Sequence, residues 1–444
     1  MHPLNLLKGL APGWRLVSVV MGVTTILWLW AMSSGATGLA MAPIHSVSLL
    51  LANWAIALLS VILLATTRSR SIERLFGGLD RAVRLHRFLA PTAIVVTIVH
   101  TLMYLPAAYA EGRGAAPLLI PFWSEDLAEA MTALVFWLLL GWTAIAYSKR
   151  FRYERWLLLH GLLGPIFLAT SAHALLHGPT IQSFEPLRFW MWLLVLVGFL
   201  SWAYRVLLYP FIAPRFLYEV GEVNLPGGNT VELKLKPKSR RMMYEPGTFA
   251  FIRRPLGAGG EAIREFHPFS ISSSPTERFL RFSIRMVGDF TRSLQTLKPG
   301  DPIEVFGPFG GFTPHRYGEY RRLVCIGAGI GITPFLSMMR FETASDDFRR
   351  IWLWYVARDA DGAPYDAELK DTVARADSWV DYELWLTGER GRLTAEKVMQ
   401  TVAPFDDVAV MLCGTPGFVR SMVQQFRDLG IPKERLIYED LHFH

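Results

Sequence analysis

Six long apolar segments fill the first half of the chain, and they constrain its fold more than any other feature. They lie near residues 14–32, 45–66, 88–107, 127–147, 156–177 and 189–209. Rising about 1.5 Å per residue as helices, such segments span the roughly 30 Å of a bilayer's hydrocarbon. The second runs from Ala42 to Thr67 without a charged side chain, and the fifth, from Trp156 to Gly178, is interrupted only by histidines. Lys8 and Arg15 precede the first segment and small residues from Ser33 to Ala40 follow it, as in a signal peptide. An apolar run of about 17 residues is too long for a typical signal, and more spans follow, so this segment is expected to remain as a helix. Hydrophobic residues make up 52% of the 444, which is high for a soluble globular protein.

Charge is informative by its placement. The 45 Lys+Arg exceed the 38 Asp+Glu by only seven, and no nucleic-acid motif accompanies them, so no nucleic-acid partner is expected. The N-terminus (Lys8, Arg15) and the connections holding Arg68, Arg70, Arg74, Arg81, Arg84 and Arg87, and Lys149, Arg150, Arg152 and Arg155, are basic. The other connections carry only Arg113 and Arg188. Positive loops stay in the cytoplasm. The chain therefore reads as a multi-pass protein of the cell (inner) membrane with both termini cytoplasmic. Cys325 and Cys413 are the two cysteines, which excludes a disulfide framework and a cysteine zinc site.

Beyond Pro214 the pattern changes. Alternating runs such as Thr230–Lys236 and Phe279–Arg285, separated by Gly and Pro turns, predict antiparallel strands of a small barrel. From Arg322 onward strand, glycine turn and helix alternate, which predicts a parallel sheet with crossover helices. The expected domains are 1–213, 214–318 and 319–444.

Four histidines form two widely spaced pairs on the third and fifth segments. His86 and His100 lie 14 residues apart on the third, and His160 and His173 lie 13 apart on the fifth. Both intervals are close to four helical turns, so each pair is expected on one face of its helix. The two segments run in the same direction, which sets His86 level with His160 and His100 level with His173. Facing imidazoles on two helices suit bis-axial ligation of haem iron, and two such pairs would stack two haems across the bilayer. A proton relay also uses buried histidines but has no need of matched spacings. His45 and His177 sit near the outer pair, either to bind an electron acceptor or to rest at the polar interface.

Three stretches in the second half suit nucleotides. His267-Pro268-Phe269-Ser270 combines aromatic rings with a hydroxyl that can bond a flat heteroaromatic ring. Arg285 with Gly288-Asp289-Phe290-Thr291 can hold a pyrophosphate at a helix start. Gly327, Gly329 and Gly331 followed by Thr333 and Pro334 lie between a strand and a helix, where glycines admit a dinucleotide pyrophosphate and Thr333 can cap the helix. Arg358, beyond the next strand, is placed to pair an adenosine 2'-phosphate, favouring NADPH with NADH possible. Cys413-Gly414 ends a further apolar strand.

Together these residues resemble the NADPH oxidase and ferric reductase superfamily. The paired histidines, the His267–Ser270 box, the Arg285–Thr291 segment, Gly307-Pro308-Phe309-Gly310, the glycine turn and Cys413-Gly414 occur in its order. The resemblance implies a six-helix transmembrane bundle carrying two b-type haems, then a ferredoxin-reductase-like antiparallel β-barrel for FAD, then an α/β Rossmann-like domain for NADPH. It assigns Ser270 to the flavin, Arg285 and Thr291 to its pyrophosphate, Cys413 to the hydride-transfer region, and Phe443, beside the terminal His444, to a ring that covers the flavin. Phe290 stands where members often carry Trp. The implied acceptor is O2, giving superoxide; a ferric chelate is the alternative. With no calcium-binding loop, no obligatory protein activator is expected. A reading from a different class, a membrane haem sensor without enzymatic activity, predicts no FAD.

Overall fold

The computed structural model describes residues 11–35, 43–110, 112, 114–121, 123, 127–148, 153–212, 215–255, 266–314, 320–342, 350–375 and 379–438. The chain divides into two compact units, Met1–Ile212 and Ala213–His444.

The main helices of the first unit are α1 (Pro12–Ser33), α2 (Pro43–Ala65), α3 (Leu79–Ala110), α4 (Leu127–Tyr147), α5 (Tyr153–Gly161), α6 (Leu163–His177) and α7 (Glu185–Ala203). The fifth apolar segment is α5 and α6 together. Five of the segments are long and apolar enough to cross a membrane, and in the fourth the apolar stretch Met131–Tyr147 is shorter. Their outer faces are apolar as well, with Ile26, Phe88, Leu158 and Phe189 exposed, as lipid requires.

Helices in an apolar solvent gain little by hiding oil, so small residues and interhelical hydrogen bonds bring them together. On α7, a Cβ at Gly198 would come within 2.8 Å of the Phe167 ring and 3.2 Å of Ser60 Cα. Trp54 Nε1 donates to Thr25 Oγ1 at 3.0 Å, and Trp190 Nε1 to Thr24 Oγ1 at 2.9 Å. These bonds tie α2 and α7 to α1.

The break between α5 and α6 has a chemical cause. Pro165 has no N–H to return to the Gly161 carbonyl. Trp202, beyond the α6–α7 connection, donates its indole N–H to that carbonyl instead, at 2.8 Å. Its ring lies against Gly164, where a Cβ would approach to 2.2 Å. A freed backbone acceptor at membrane depth needs such a partner.

The second unit holds two sheets. The first is an antiparallel barrel of β1 (Arg215–Gly227), β2 (Thr230–Pro237), β3 (Phe249–Arg253), β4 (His267–Ser270), β5 (Leu280–Arg285) and β6 (Pro302–Phe309), in the order β4-β3-β6-β1-β2-β5. A five-residue helix, α8 (Asp289–Ser293), follows β5. Alternation on β2 and β5 sends Val231, Leu233, Leu235, Phe282 and Ile284 into the barrel core.

The second sheet is parallel: β7 (Arg322–Ala328), β8 (Arg350–Ala357), β9 (Val380–Leu386), β10 (Val408–Cys413) and β11 (Leu436–Tyr438), ordered β11-β10-β7-β8-β9. Helices α9 (Thr333–Glu342), α10 (Asp366–Ala374) and α11 (Pro416–Asp428) are among its crossovers. The chain travels outward from β7 to β9, then returns to the other side of β7 as β10. Ligands of open α/β sheets bind at such a reversal, outside the carboxyl ends of the strands.

Candidate functional site

In the first unit the histidines meet in pairs. The rings of His86 on α3 and His160 on α5 have centroids 5.9 Å apart. Two metal–nitrogen bonds of about 2 Å each, plus the half-widths of two imidazoles, require a separation of about 6 Å. Trp156 stacks on His160 at 4.8 Å. The Nδ1 atoms of His86 and His160 make no hydrogen bond of ordinary geometry among the described residues, although the Ile62 carbonyl faces His86.

The outer pair is anchored. His100 Nδ1 donates to the Ser48 carbonyl at 2.8 Å, with Ser48 Oγ also 2.9 Å away. His173 Nδ1 lies 2.9 Å from Thr132 Oγ1, and His173 is close enough to His100 to interact electrostatically. A bonded Nδ1 fixes the ring and aims Nε2, the arrangement of a metal-ligating histidine. Among the described residues no three metal-ligating side chains converge. Paired histidines suit an iron whose remaining ligands come from a porphyrin.

The thirteen-residue interval corrects the spacing argument. On an unbroken helix it would leave His160 and His173 about 140° apart, whereas fourteen residues leave His86 and His100 about 40° apart. The break at Gly161–Leu162 lies between the two histidines, so the stretch that carries them is not one unbroken helix. Around the outer pair, Tyr104 sets its ring 5.0 Å from His45 and 6.4 Å from His100, and His177 lies 5.6 Å from His173.

In the second unit, His267 and Phe269 alternate onto one face of β4 and meet Phe290 of α8. His267 stacks on Phe290 with centroids 3.9 Å apart, and Phe269 lies nearly parallel to it at 6.2 Å. Beside this aromatic shelf, the half-buried Ser270 hydroxyl bonds to no described residue. The Thr291 hydroxyl accepts from the N–H groups of Val287 and Gly288 at 2.9 and 3.0 Å, closing the turn that starts α8.

A cavity of about 320 Å³ opens at the carboxyl end of β7. Gly329, Ile330, Arg358 and Thr415 border it from the parallel sheet, and Gly228, Thr230 and Arg285 from the barrel. Gly329 has φ +57 and open space where a Cβ would stand. At Gly331 a Cβ would meet the Cys413 carbonyl at 2.5 Å, so the glycine turn packs against Cys413-Gly414. Arg285, expected at a flavin pyrophosphate, borders the same cavity as Arg358 and Gly329. Thr333 does not cap α9 from outside. It is the first helical residue and donates to the Ile330 carbonyl at 2.9 Å. Cys413 is partly exposed at the end of β10. Phe443, His444 and Arg113 lie outside the described residues.

Three protein families match successive parts of the chain. They are a ferric reductase like transmembrane component over residues 51–171, an FAD-binding domain over 216–299 and an oxidoreductase NAD-binding domain over 325–424. The chain belongs to the NADPH oxidase and ferric reductase superfamily. The barrel of this superfamily member is thus its FAD-binding part and the parallel sheet its NAD(P)-binding part. NADPH oxidase 1 of Mus musculus is 28% identical over 46% of this chain and 36% of its own length. A superoxide-generating NADPH oxidase heavy chain of Dictyostelium discoideum is 28% identical over 36% of this chain and 27% of its own. The chain thus spans only about a third of these relatives. A flavohemoglobin structure from Malassezia yamatoensis, 20% identical, aligns over 79% of this chain and 96% of that one with a TM-score of 0.50, a likeness of fold.

Motif reading missed Ser48 and Thr132, two of many hydroxyls on apolar helices. Nothing in the sequence marks them out except what they face.

Proposed function

We propose that this superfamily member carries electrons from NADPH through FAD and two b-type haems across the membrane to O2, giving superoxide. When bound, these groups accept the hydride's electron pair and release it one electron at a time, so that one NADPH and two O2 give NADP⁺, a proton and two superoxide ions. The observation that carries this reading is the facing of His86 with His160 and the anchoring of His100 and His173, in a chain with flavin and nucleotide domains.

The residues divide the work. His86, His160, His100 and His173 would hold the haem irons. Ser48 and Thr132 orient the outer pair. With two histidines to hold each iron, the acceptor would be reduced without binding the metal, near His45, Tyr104 and His177. The aromatic shelf of His267, Phe269 and Phe290 offers a flat surface to FAD, and the Ser270 hydroxyl is free to bond its ring. The glycine turn receives the nicotinamide dinucleotide, and Arg358 pairs its 2'-phosphate, with NADH a weaker donor. The neutral ring of Tyr104 beside His45 makes a ferric chelate the second acceptor to test.

The test is an anaerobic spectrum of the purified, FAD-supplemented protein before and after NADPH, followed separately by air and by a ferric chelate. Haem reduction, then reoxidation by air with stoichiometric superoxide, is expected. Fast reoxidation only by the chelate makes it a ferric reductase, and absent haem reduction refutes the electron path.

A further inference from the structure

The helix that leaves the glycine turn is fastened to the chain just after Ser270, and we propose that Arg340 is a positioning residue holding the nicotinamide and flavin sites at working distance. The inference rests on the reading of this chain as an NADPH-to-FAD electron carrier.

Helix α9 begins at Thr333, where the glycine turn ends, and carries Arg340 about two turns further on. The Arg340 side chain is only 9% exposed. Its Nη1 donates to the Ser272 carbonyl. Its Nε donates to Glu368 Oε1 on α10 at 2.7 Å, and Nη2 pairs with the same oxygen at 2.6 Å. Nη2 also lies 3.9 Å from Glu232 Oε2 on β2, a carboxylate as buried as Arg340 itself. One guanidinium thus joins two helices of the nucleotide domain to the barrel.

One turn earlier, the fully buried Ser337 donates to the Ser273 carbonyl at 2.6 Å. Two side chains of α9 therefore hold two consecutive peptide carbonyls. The segment they hold is itself hydrogen-bonded to its neighbours. The Ser272 N–H donates to the Arg281 carbonyl at 2.9 Å, and Ser283 Oγ donates to Ser272 Oγ at 3.1 Å. The Tyr244 hydroxyl lies 2.7 Å from both Ser273 Oγ and the Ser274 carbonyl. Burial pushes the Tyr244 phenol above the usual tyrosine range, which keeps it a neutral donor. Ser270 is two residues upstream of Ser272. Through α9 and these two carbonyls, the turn that receives the dinucleotide is thus joined to the chain that leads out of the strand presenting the flavin hydroxyl.

Arginine suits this place because its planar fork serves several acceptors at once. Lysine offers one compact charge, and an apolar residue would leave the Glu232 carboxylate buried without its cation. Hydride transfer needs its two reacting atoms within about 3–3.5 Å, and a displacement of about 1 Å can cost about 100-fold in rate.

The experiment uses the full-length, FAD-loaded protein. Flavin reduction is followed anaerobically by stopped flow with NADPH and with NADPH deuterated at the transferred position, in wild type, Arg340→Lys, Arg340→Met and Ser337→Ala. Arg340→Met should lower the limiting rate by about 30- to 100-fold and raise the isotope effect, with NADPH affinity and FAD content within about threefold of wild type. Arg340→Lys should recover part of the rate. A wild-type limiting rate in Arg340→Met, or a defect confined to FAD content or NADPH affinity, overturns the proposal. Should Arg340→Met fail to fold, wild-type limiting rates in both Arg340→Lys and Ser337→Ala overturn it equally. A wild type that binds FAD but is not reduced by NADPH refutes the underlying reading before any variant is compared.

Discussion

At the scale of single residues, the two histidine pairs differ in their support. His100 and His173 are held at Nδ1 by Ser48 and Thr132, whereas His86 and His160 have no such bond of ordinary geometry among the described residues. Partners of this kind are worth about 10- to 100-fold in ligand affinity. Thr132→Val is therefore expected to weaken retention of the outer haem by about tenfold without unfolding the bundle. Haem content after competition with an apo-globin checks this, and wild-type retention would show that Thr132 does not support a ligand. In the cavity, Arg358→Ala should raise the KM for NADPH by at least about tenfold and leave that for NADH nearly unchanged, since only the former carries the 2'-phosphate. Equal changes for both donors would assign Arg358 elsewhere.

At the scale of elements, the fifth apolar segment teaches most. Its length and histidines were legible from sequence, and Pro165 was in plain view. The outcome was not, because the partner that makes the break tolerable, Trp202, lies 41 residues beyond Gly161 on another helix. The Arg340 network escaped notice for the same reason, as its bonds join residues 28 and 68 apart. By contrast, the glycine turn could be read locally: a strand, a tight turn and a helix start are all short-range features. Pro165→Ala should restore the N–H to the Gly161 carbonyl and favour a straight helix, turning His173 away from His100. The expected result is loss of one haem's absorbance with helical circular dichroism unchanged, and an unaltered haem spectrum would assign the break to the Gly164–Trp202 contact instead. Gly331→Ala would drive a methyl into the Cys413 carbonyl, which is 2.5 Å from the position of a Cβ there. Overpacking of this kind costs about 1–3 kcal/mol. A raised NADPH dissociation constant with intact FAD binding is expected, and unchanged NADPH affinity would argue against the turn as the dinucleotide site.

At the scale of the whole molecule, the membrane unit and the nucleotide-binding unit have separate cores, so their cofactors should be separable. Stripping FAD should leave the haem spectrum intact and abolish its reduction by NADPH, and adding FAD back should restore it. Haem reduction persisting without flavin would refute the order of the chain of carriers. The Gly161–Pro165–Trp202 arrangement reaches beyond this one protein. An ancestor that acquired proline at 165 first would have left the Gly161 carbonyl without its helical donor, and one that acquired the indole first would have set it against a carbonyl already bonded within its helix. Neither change is comfortable alone, so the two positions should be inherited as a couple. Relatives that replace Trp202 with a residue lacking an N–H should also have lost the proline, a correlation that a set of aligned descendants can confirm or refuse.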